Sequence, residues 1–390
     1  MQSRSTLRRM RLTVLALALV ALAFQGVFAS RASAVEARAG LRPKGLLPHA
    51  RKELADAGVN KYVGQFLPSA AEAIGDWTKY TFDTQGGDGP VCISGTELSV
   101  FHQARDPKKV MVILDGGGAC WQDFYACSIT ADSNPPAGGI FDDSGAGIDN
   151  PLADWSKVFV SYCDGSVFSG DNTVVDPSFP GGVRHHRGMR NLTAGLDLAR
   201  DLHPAAKQVL LGGISAGGYG VAGPAPGVYR FVFPPFARLY VLNDSGPALT
   251  NPALVSQVNA RVNDWAYTQF TPASCTDCDP FNQPAELVEW TLENDNGYKG
   301  ALYSTDGDST IRFFLSIPTA AAYRALLLGT HDPINEAFPD RYKRFIRAGS
   351  TAHTAIAGGL FYTATSNGIP LYQWVADFVN DDPGWVDTVE

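Results

Sequence analysis

Residues 209–218 read Val209-Leu210-Leu211-Gly212-Gly213-Ile214-Ser215-Ala216-Gly217-Gly218. Three branched apolar residues in a row suit a central strand buried on both faces. The run leads straight into a serine with glycine two positions before it and two positions after it. A serine on so tight a strand-to-helix turn holds strained dihedrals, and its neighbours must have almost no side chain. The turn then presents the hydroxyl above the sheet and leaves the N–H of Ala216 free to receive an oxyanion. An ordinary serine on a glycine-rich turn produces the same five-residue pattern, so the rest of the chain has to decide.

Working outward, turn signals and apolar runs alternate in an α/β rhythm. Val110–Leu114 ends in Asp115-Gly116-Gly117-Gly118, Val158–Tyr162 ends in Cys163-Asp164-Gly165, and Leu239–Leu242 ends in Asn243-Asp244-Ser245-Gly246. Helix-like spacing occupies Arg190–Leu202, with leucines at 192, 196, 198 and 202, and Leu371–Val379. The pattern predicts a mostly parallel central sheet with helices on both faces. Residues 121–156 and 164–188 are rich in Gly, Asp, Ser and Pro and read as long loops, which in a compact domain usually serve function. Region 247–300 reads as an insertion.

The turn at Asp115–Gly118 lies where the second half of an oxyanion hole belongs, because backbone N–H groups on such a turn can aim at developing negative charge. No Lys-Ser/Thr follows it and no complete G-x-G-x-x-G pattern surrounds it, so a nucleotide loop is disfavoured. His353 follows the strand-like Tyr342–Ile346 near the C-terminus, where the general base of an α/β-hydrolase stands in chain order. The acid that orients it is expected between the two, at Asp306 or Asp308. Asp244 is the rival, but it closely follows Ser215 and reads as scaffold on the next strand. His185-His186, beside Arg184 and Arg187, reads as structural or surface, and His49, His102, His203 and His331 have no partner pattern.

Composition excludes other classes. The 390 residues are 45% apolar and 18% charged with a net charge of −8, and they include 21 Phe, 14 Tyr and 7 Trp. Such a chain buries a real core and is neither disordered nor built to neutralise nucleic-acid phosphates. Arg4, Arg8, Arg9 and Arg11 precede the apolar run Leu12–Phe24, with small-residue sites ending at Ala29 and Ala34. Residues 1–34 are therefore expected to be a secretory signal peptide, cut after Ala29 or Ala34. A membrane anchor would need about 20 apolar residues. The mature chain, residues 35–390, is expected to be one exported, soluble, acidic domain that works as a monomer without membrane or nucleic-acid partners. Six cysteines in an exported chain read as a disulfide framework, for which sequence alone leaves fifteen pairings open. One Cys-x-x-Cys without a histidine pair argues against zinc.

Taken together, Leu114-Asp-Gly-Gly-Gly-Ala-Cys120-Trp121, Tyr162-Cys-Asp-Gly-Ser-Val-Phe168-Ser-Gly170-Asp171, Gly213-Ile-Ser215-Ala-Gly-Gly218 and Asn243-Asp-Ser-Gly246 resemble the pectin acetylesterase family. The resemblance runs over roughly residues 90–355, and the Tyr-Cys-Asp-Gly block is its most specific element. It implies an α/β-hydrolase fold with long disulfide-stapled loops over the active site. It also implies hydrolysis of carboxylic esters without metal or cofactor, on a small-molecule or polysaccharide ester. Carried onto this chain, it implies Ser215 as nucleophile, His353 as base, Asp308 as acid, and Gly117, Gly118 and Ala216 as oxyanion donors. It further implies the bridges Cys92–Cys163 and Cys120–Cys127, which leaves Cys275 for Cys278.

Trp121, Tyr125, Phe168 and Tyr219 flank these motifs as candidates for substrate contact, with no more than two of the four expected to serve. The chain departs from the family at Asp115 and Ala119, where Glu and a bulky aromatic are more usual, and in the 247–300 stretch, which has no clear counterpart. The expected activity is a secreted serine esterase acting on short acyl groups, acetyl above all, of a plant cell-wall polysaccharide such as pectin. The alternatives are a lipid, aryl or polyester esterase on the same residues, or a non-catalytic secreted binding protein in a hydrolase shell.

Overall fold

Alternation along each apolar run divides its side chains between two cores. In the run ending at Leu114, Val110, Val112 and Leu114 join one buried cluster while Met111 and Ile113 join another. Val209 and Leu211 fall on the first side and Leu210 on the second, and Val241 and Leu242 divide likewise. A strand with that pattern is stable only where both sheet faces are covered. A one-residue slip would exchange the two sets, each apolar side chain carrying about 1.5–3 kcal/mol of burial.

The computed structural model describes residues 45–390, so the expected signal peptide and its cleavage sites lie outside the described residues. A ten-stranded sheet forms the centre. Its strands are β1 (Ala70–Ile74), β2 (Trp77–Phe82), β3 (Leu98–Gln103), β4 (Asp106–Leu114), β5 (Trp155–Val160), β6 (Gln208–Ile214), β7 (Arg238–Asp244), β8 (Gly300–Thr305), β9 (Tyr342–Arg347) and β10 (Thr388–Val389). The spatial order is β1-β2-β3-β5-β4-β6-β7-β8-β9-β10. The ladders among β1, β2, β3 and β5 are antiparallel, and from β5 onward every ladder is parallel.

Helices α1 (Pro48–Asp56), α2 (Gly188–Leu202), α3 (Ala216–Ala222), α4 (Ala225–Val232), α5 (Val255–Trp265), α6 (Glu286–Asn294), α7 (Ser309–Phe314), α8 (Ala320–Ala337), α9 (Leu360–Thr363) and α10 (Leu371–Val379) complete the frame. Residues of α2, α3, α4, α6 and α8 fill the larger core, and those of α9 and α10 close the smaller one around Trp374 and Phe378. The fold is that of an α/β-hydrolase.

Two expectations need correction. The segments read as long loops contain two-stranded ribbons, Gly118–Trp121 with Phe124–Cys127, Ser144–Gly145 with Ile148–Asp149, and Asn172–Val175 with Val183–His186. They are too short and too glycine-rich to show a period of two. The strand expected at Val158–Tyr162 spans Trp155–Val160 instead, and Tyr162 has left the ladder to enter a bridged turn. The sulfurs are paired Cys92–Cys163, Cys120–Cys127 and Cys275–Cys278. Residues 247–300 hold α5, a 3₁₀ turn at Tyr267–Phe270, and α6.

Candidate active site

Parallel strands all end on one side of a sheet, and here β6, β7, β8 and β9 deliver Ser215, Asp244, Asp308 and His353 to that side. Ser215 is the first residue after β6 and adopts φ 54°, ψ −110°, a conformation that costs a non-glycine residue about 1–3 kcal/mol. Its N–H is held by the carbonyl of Asp244 at 2.8 Å. A Cβ on Gly213 would run into the backbone of Gly217, and one on Gly217 into the carbonyl of Leu114, so only glycine fits on either side of the turn.

His353 Nδ1 donates to Asp308 Oδ2 at 2.7 Å, which leaves Nε2 to accept from the Ser215 hydroxyl, also at 2.7 Å. Asp308 is fully buried, and its other oxygen caps α7 by accepting from the N–H groups of Thr310 at 2.9 Å and Ile311 at 3.0 Å. Asp306, the other candidate acid, instead pairs with Arg324 at 3.2 Å.

Asp244 is a scaffold for the histidine loop. Its buried carboxylate accepts from Ala355 N at 2.9 Å and Ile356 N at 2.8 Å, and Ser245 Oγ donates to the carbonyl of His353 at 2.5 Å. Burial pushes Asp244 up to about 6, opposed by those backbone donors. The acid and base loops are also joined directly, by Gly307 N to Ser350 O and Thr305 Oγ1 to Ala352 O.

The Asp115–Gly118 turn packs against the nucleophile. A Cβ on Gly116 would come within 3.0 Å of Ser215 Cβ, and Gly118 takes φ +78°. Gly118, Ala119 and Ala216 line the same cavity as Ser215, whereas Gly117 stands behind them, its carbonyl bonded to Ser128 N at 2.7 Å. The Tyr-Cys-Asp-Gly block braces the ribbon that follows this turn, since Gly165 O accepts from Cys120 N at 2.8 Å. Burial first, and the Asp132 carboxylate second, push Asp115 up to about 8.

The cavity in front of Ser215 has a volume of about 170 Å³. Of the four candidate aromatics, Trp121 and Tyr219 line it. The other two do not. Phe168 turns inward at φ 60° and is fully buried against Tyr162, and Tyr125 lies on the ribbon's outer side, where its hydroxyl donates to Asp176. His186 is likewise buried, bonded to Arg184 and to the carbonyl of Asp164, and burial drives it down to about 3.

Sequence reasoning missed the cavity's far wall, which comes from the 247–300 segment through Leu249, Arg261, Trp265, Phe270 and Leu287. That wall is docked on the oxyanion ribbon. Trp265 Nε1 donates to Cys120 O at 2.8 Å, and Asp264 accepts from Gln122 N and from buried Arg184. A four-residue spacing put Arg261 and Trp265 on one helix face, but nothing in the sequence said that this face meets the serine.

A hydroxyl, an imidazole and a carboxylate linked in this order can strip the proton from the hydroxyl as it attacks a carbonyl. Among solved structures, the Wnt deacylase Notum from Drosophila superposes with a TM-score of 0.59 at 15% identity, over 78% of this chain and 93% of that one, a likeness of fold. The family model described as Pectinacetylesterase matches residues 79–276, a span that includes the Asp115–Gly118 turn and Ser215, while Asp308 and His353 lie beyond it. The chain therefore belongs to the pectinacetylesterase family and is a carboxylic ester hydrolase.

Proposed function

We propose that the chain is an exported serine esterase in which Ser215, His353 and Asp308 carry the chemistry. The observation that carries this reading is the unbroken path from Ser215 Oγ to His353 Nε2 and from Nδ1 to Asp308, with 2.7 Å at each step. His353 takes the hydroxyl proton as Oγ attacks the ester carbonyl, and Asp308 holds the imidazole in the acceptor tautomer and balances its charge. Of the expected donors, the backbone N–H groups of Gly118 and Ala216, which line the cavity with Ser215, receive the oxyanion, each such donor supplying about 10²–10³ in rate. Collapse of the tetrahedral adduct expels the alcohol, protonated by His353, and leaves an acyl-enzyme. A water deprotonated by the same imidazole then releases the acid.

Three disulfides, a combination that persists in oxidising compartments, support export of the mature chain. The family's description supports an acetyl ester of a pectin-like polysaccharide as substrate. A second reading, a bulkier aliphatic or aryl acyl group, is favoured by the cavity itself. Its 170 Å³ exceeds what acetyl needs and compares with the roughly 150 Å³ apolar cavity that accepts benzene. Rates on 4-nitrophenyl acetate and octanoate, for wild type and Ser215→Ala, test both readings. The serine reading predicts that the variant loses activity on each, and comparable rates would remove it. High activity on octanoate selects the bulky-acyl reading over the acetyl one.

A further inference from the structure

Among the described residues, the guanidinium groups of Arg184, Arg230 and Arg344 have carboxylate partners, Asp176 with Asp264, Asp295, and Asp332 with Asp387 respectively, while half-buried Arg341 donates from both Nη atoms to the carbonyls of Asp295 and Leu292. Half-buried Arg261 has neither arrangement. It stands on α5 in the wall of the Ser215 cavity, where its Nη2 donates to Thr250 Oγ1 at 2.9 Å and its guanidinium lies 5.6 Å from the Trp121 ring centre.

No carboxylate among the described residues forms an ion pair with it. The buried acids near the cavity are committed elsewhere, and the remaining one stands exposed at its rim. Asp308 holds His353 and caps α7, Asp264 holds Arg184, and Asp279 is an exposed rim residue that accepts from Phe281 N. The phenols of Tyr267 and Tyr219, which are near the guanidinium, are uncharged because burial raises both, and burial lowers the proton affinity of Arg261 itself. A guanidinium nevertheless stays charged and offers five N–H donors in a planar fork. Retaining such a group, largely desolvated and without a paired carboxylate, in a cavity whose walls include Trp121, Trp265, Phe270 and Leu287 is costly unless the ligand brings the anion.

We propose that Arg261 is a carboxylate-recognition site, and that the ester cleaved here has a mostly apolar body bearing one anionic group that pairs with this guanidinium. The inference rests on the reading of Ser215 as nucleophile for its kinetic arm alone. The substrate class is thus a carboxylate-bearing ester, with the anion on either the acyl or the alcohol part.

Matched pairs separate the two sources. The acyl arm compares 4-nitrophenyl hydrogen suberate with 4-nitrophenyl methyl suberate, and the alcohol arm compares 4-acetoxybenzoate with its methyl ester. In at least one arm, kcat/KM for the anion should exceed that for the neutral partner by about tenfold or more at low salt. The ratio should fall to one or below in Arg261→Met and be partly kept in Arg261→Lys. Ratios at or below one in both arms of wild type, or a ratio unmoved by Arg261→Met, overturn the proposal. Should the methionine variant not fold, the wild-type pairs and the lysine variant decide.

Calorimetric binding of the same anions to Ser215→Ala, with and without Arg261→Met, is the second readout. Arg261-dependent binding supports the site even if hydrolysis does not follow the serine. Anion binding that is absent, or indifferent to residue 261, overturns the site even where the serine chemistry holds.

Discussion

Replacing Asp308 by asparagine separates two jobs that one carboxylate performs. Oδ1 caps α7 through Thr310 N and Ile311 N, while Oδ2 accepts from His353 Nδ1 at 2.7 Å. An asparagine that keeps its carbonyl over the helix turns its NH₂ toward Nδ1, donor against donor. The imidazole escapes this clash by moving its proton to Nε2, which then cannot accept from Ser215. The expected fall in kcat on 4-nitrophenyl acetate is about 10⁴-fold, the magnitude of a wrong-tautomer triad. Stability should hardly change, because asparagine is as good a cap as aspartate.

Asp308→Ala loses both jobs. Its kcat should fall at least as far, and unfolding in urea should reveal a further loss of about 1–2 kcal/mol from the missing cap. Steady-state kinetics and urea melts on the two variants give four numbers, and the pattern matters more than any one of them. An asparagine variant that keeps more than a tenth of wild-type kcat, or that loses as much stability as the alanine variant, would refute the division of labour.

Other perturbations probe the surrounding frame. Asp244→Ala strands the N–H groups of Ala355 and Ile356, at about 1–3 kcal/mol each, so a clear loss in urea midpoint is expected alongside a smaller drop in kcat than Asp308→Asn produces. A fully stable variant would remove Asp244 as the anchor of the histidine loop. His331 is buried between the carbonyl of Pro247 and the hydroxyl of Tyr342, and burial lowers it from 6.5 to about 4. The unfolded chain thus binds its proton first, and stability is lost as pH falls from 6.5 toward 4, by roughly 3 kcal/mol at most for this one group. His331→Gln should flatten that part of a pH series of urea melts, and an unchanged slope would count against it. Replacing Cys92 and Cys163 by serine should cost about 4 kcal/mol, against under about 2 for Cys275 and Cys278, since the bridges span 71 and 3 residues. Equal losses in urea titration would contradict the chain-entropy account.

The central strands were readable because burial on both faces leaves continuous apolar runs, and Ser215 because a tight turn demands glycine at 213 and 217. His353 was readable from its place after the last long strand. Asp308 and Asp306, two residues apart, differ only in which loop they face. The bond to Arg324 that claims Asp306 comes from α8, and no local pattern announces it. Phe168 is not a substrate contact because a left-handed backbone at 167 and 168 accompanies its burial in the core, away from the cavity lining. The ribbon of Tyr125 likewise turns that ring outward. The cavity wall was illegible for a different reason: its helices are short and polar on most sides, and their docking depends on tertiary bonds such as Trp265 to Cys120.

That wall leaves the sheet after β7 and rejoins it at β8, carrying Arg261, Trp265, Phe270 and Leu287 but neither the nucleophile nor its proton relay. Bond-breaking and selectivity are therefore written on separable stretches of chain. Evolution, or a designer, can rewrite the intervening fifty or so residues to admit a different guest while the reaction itself runs on unaltered hardware.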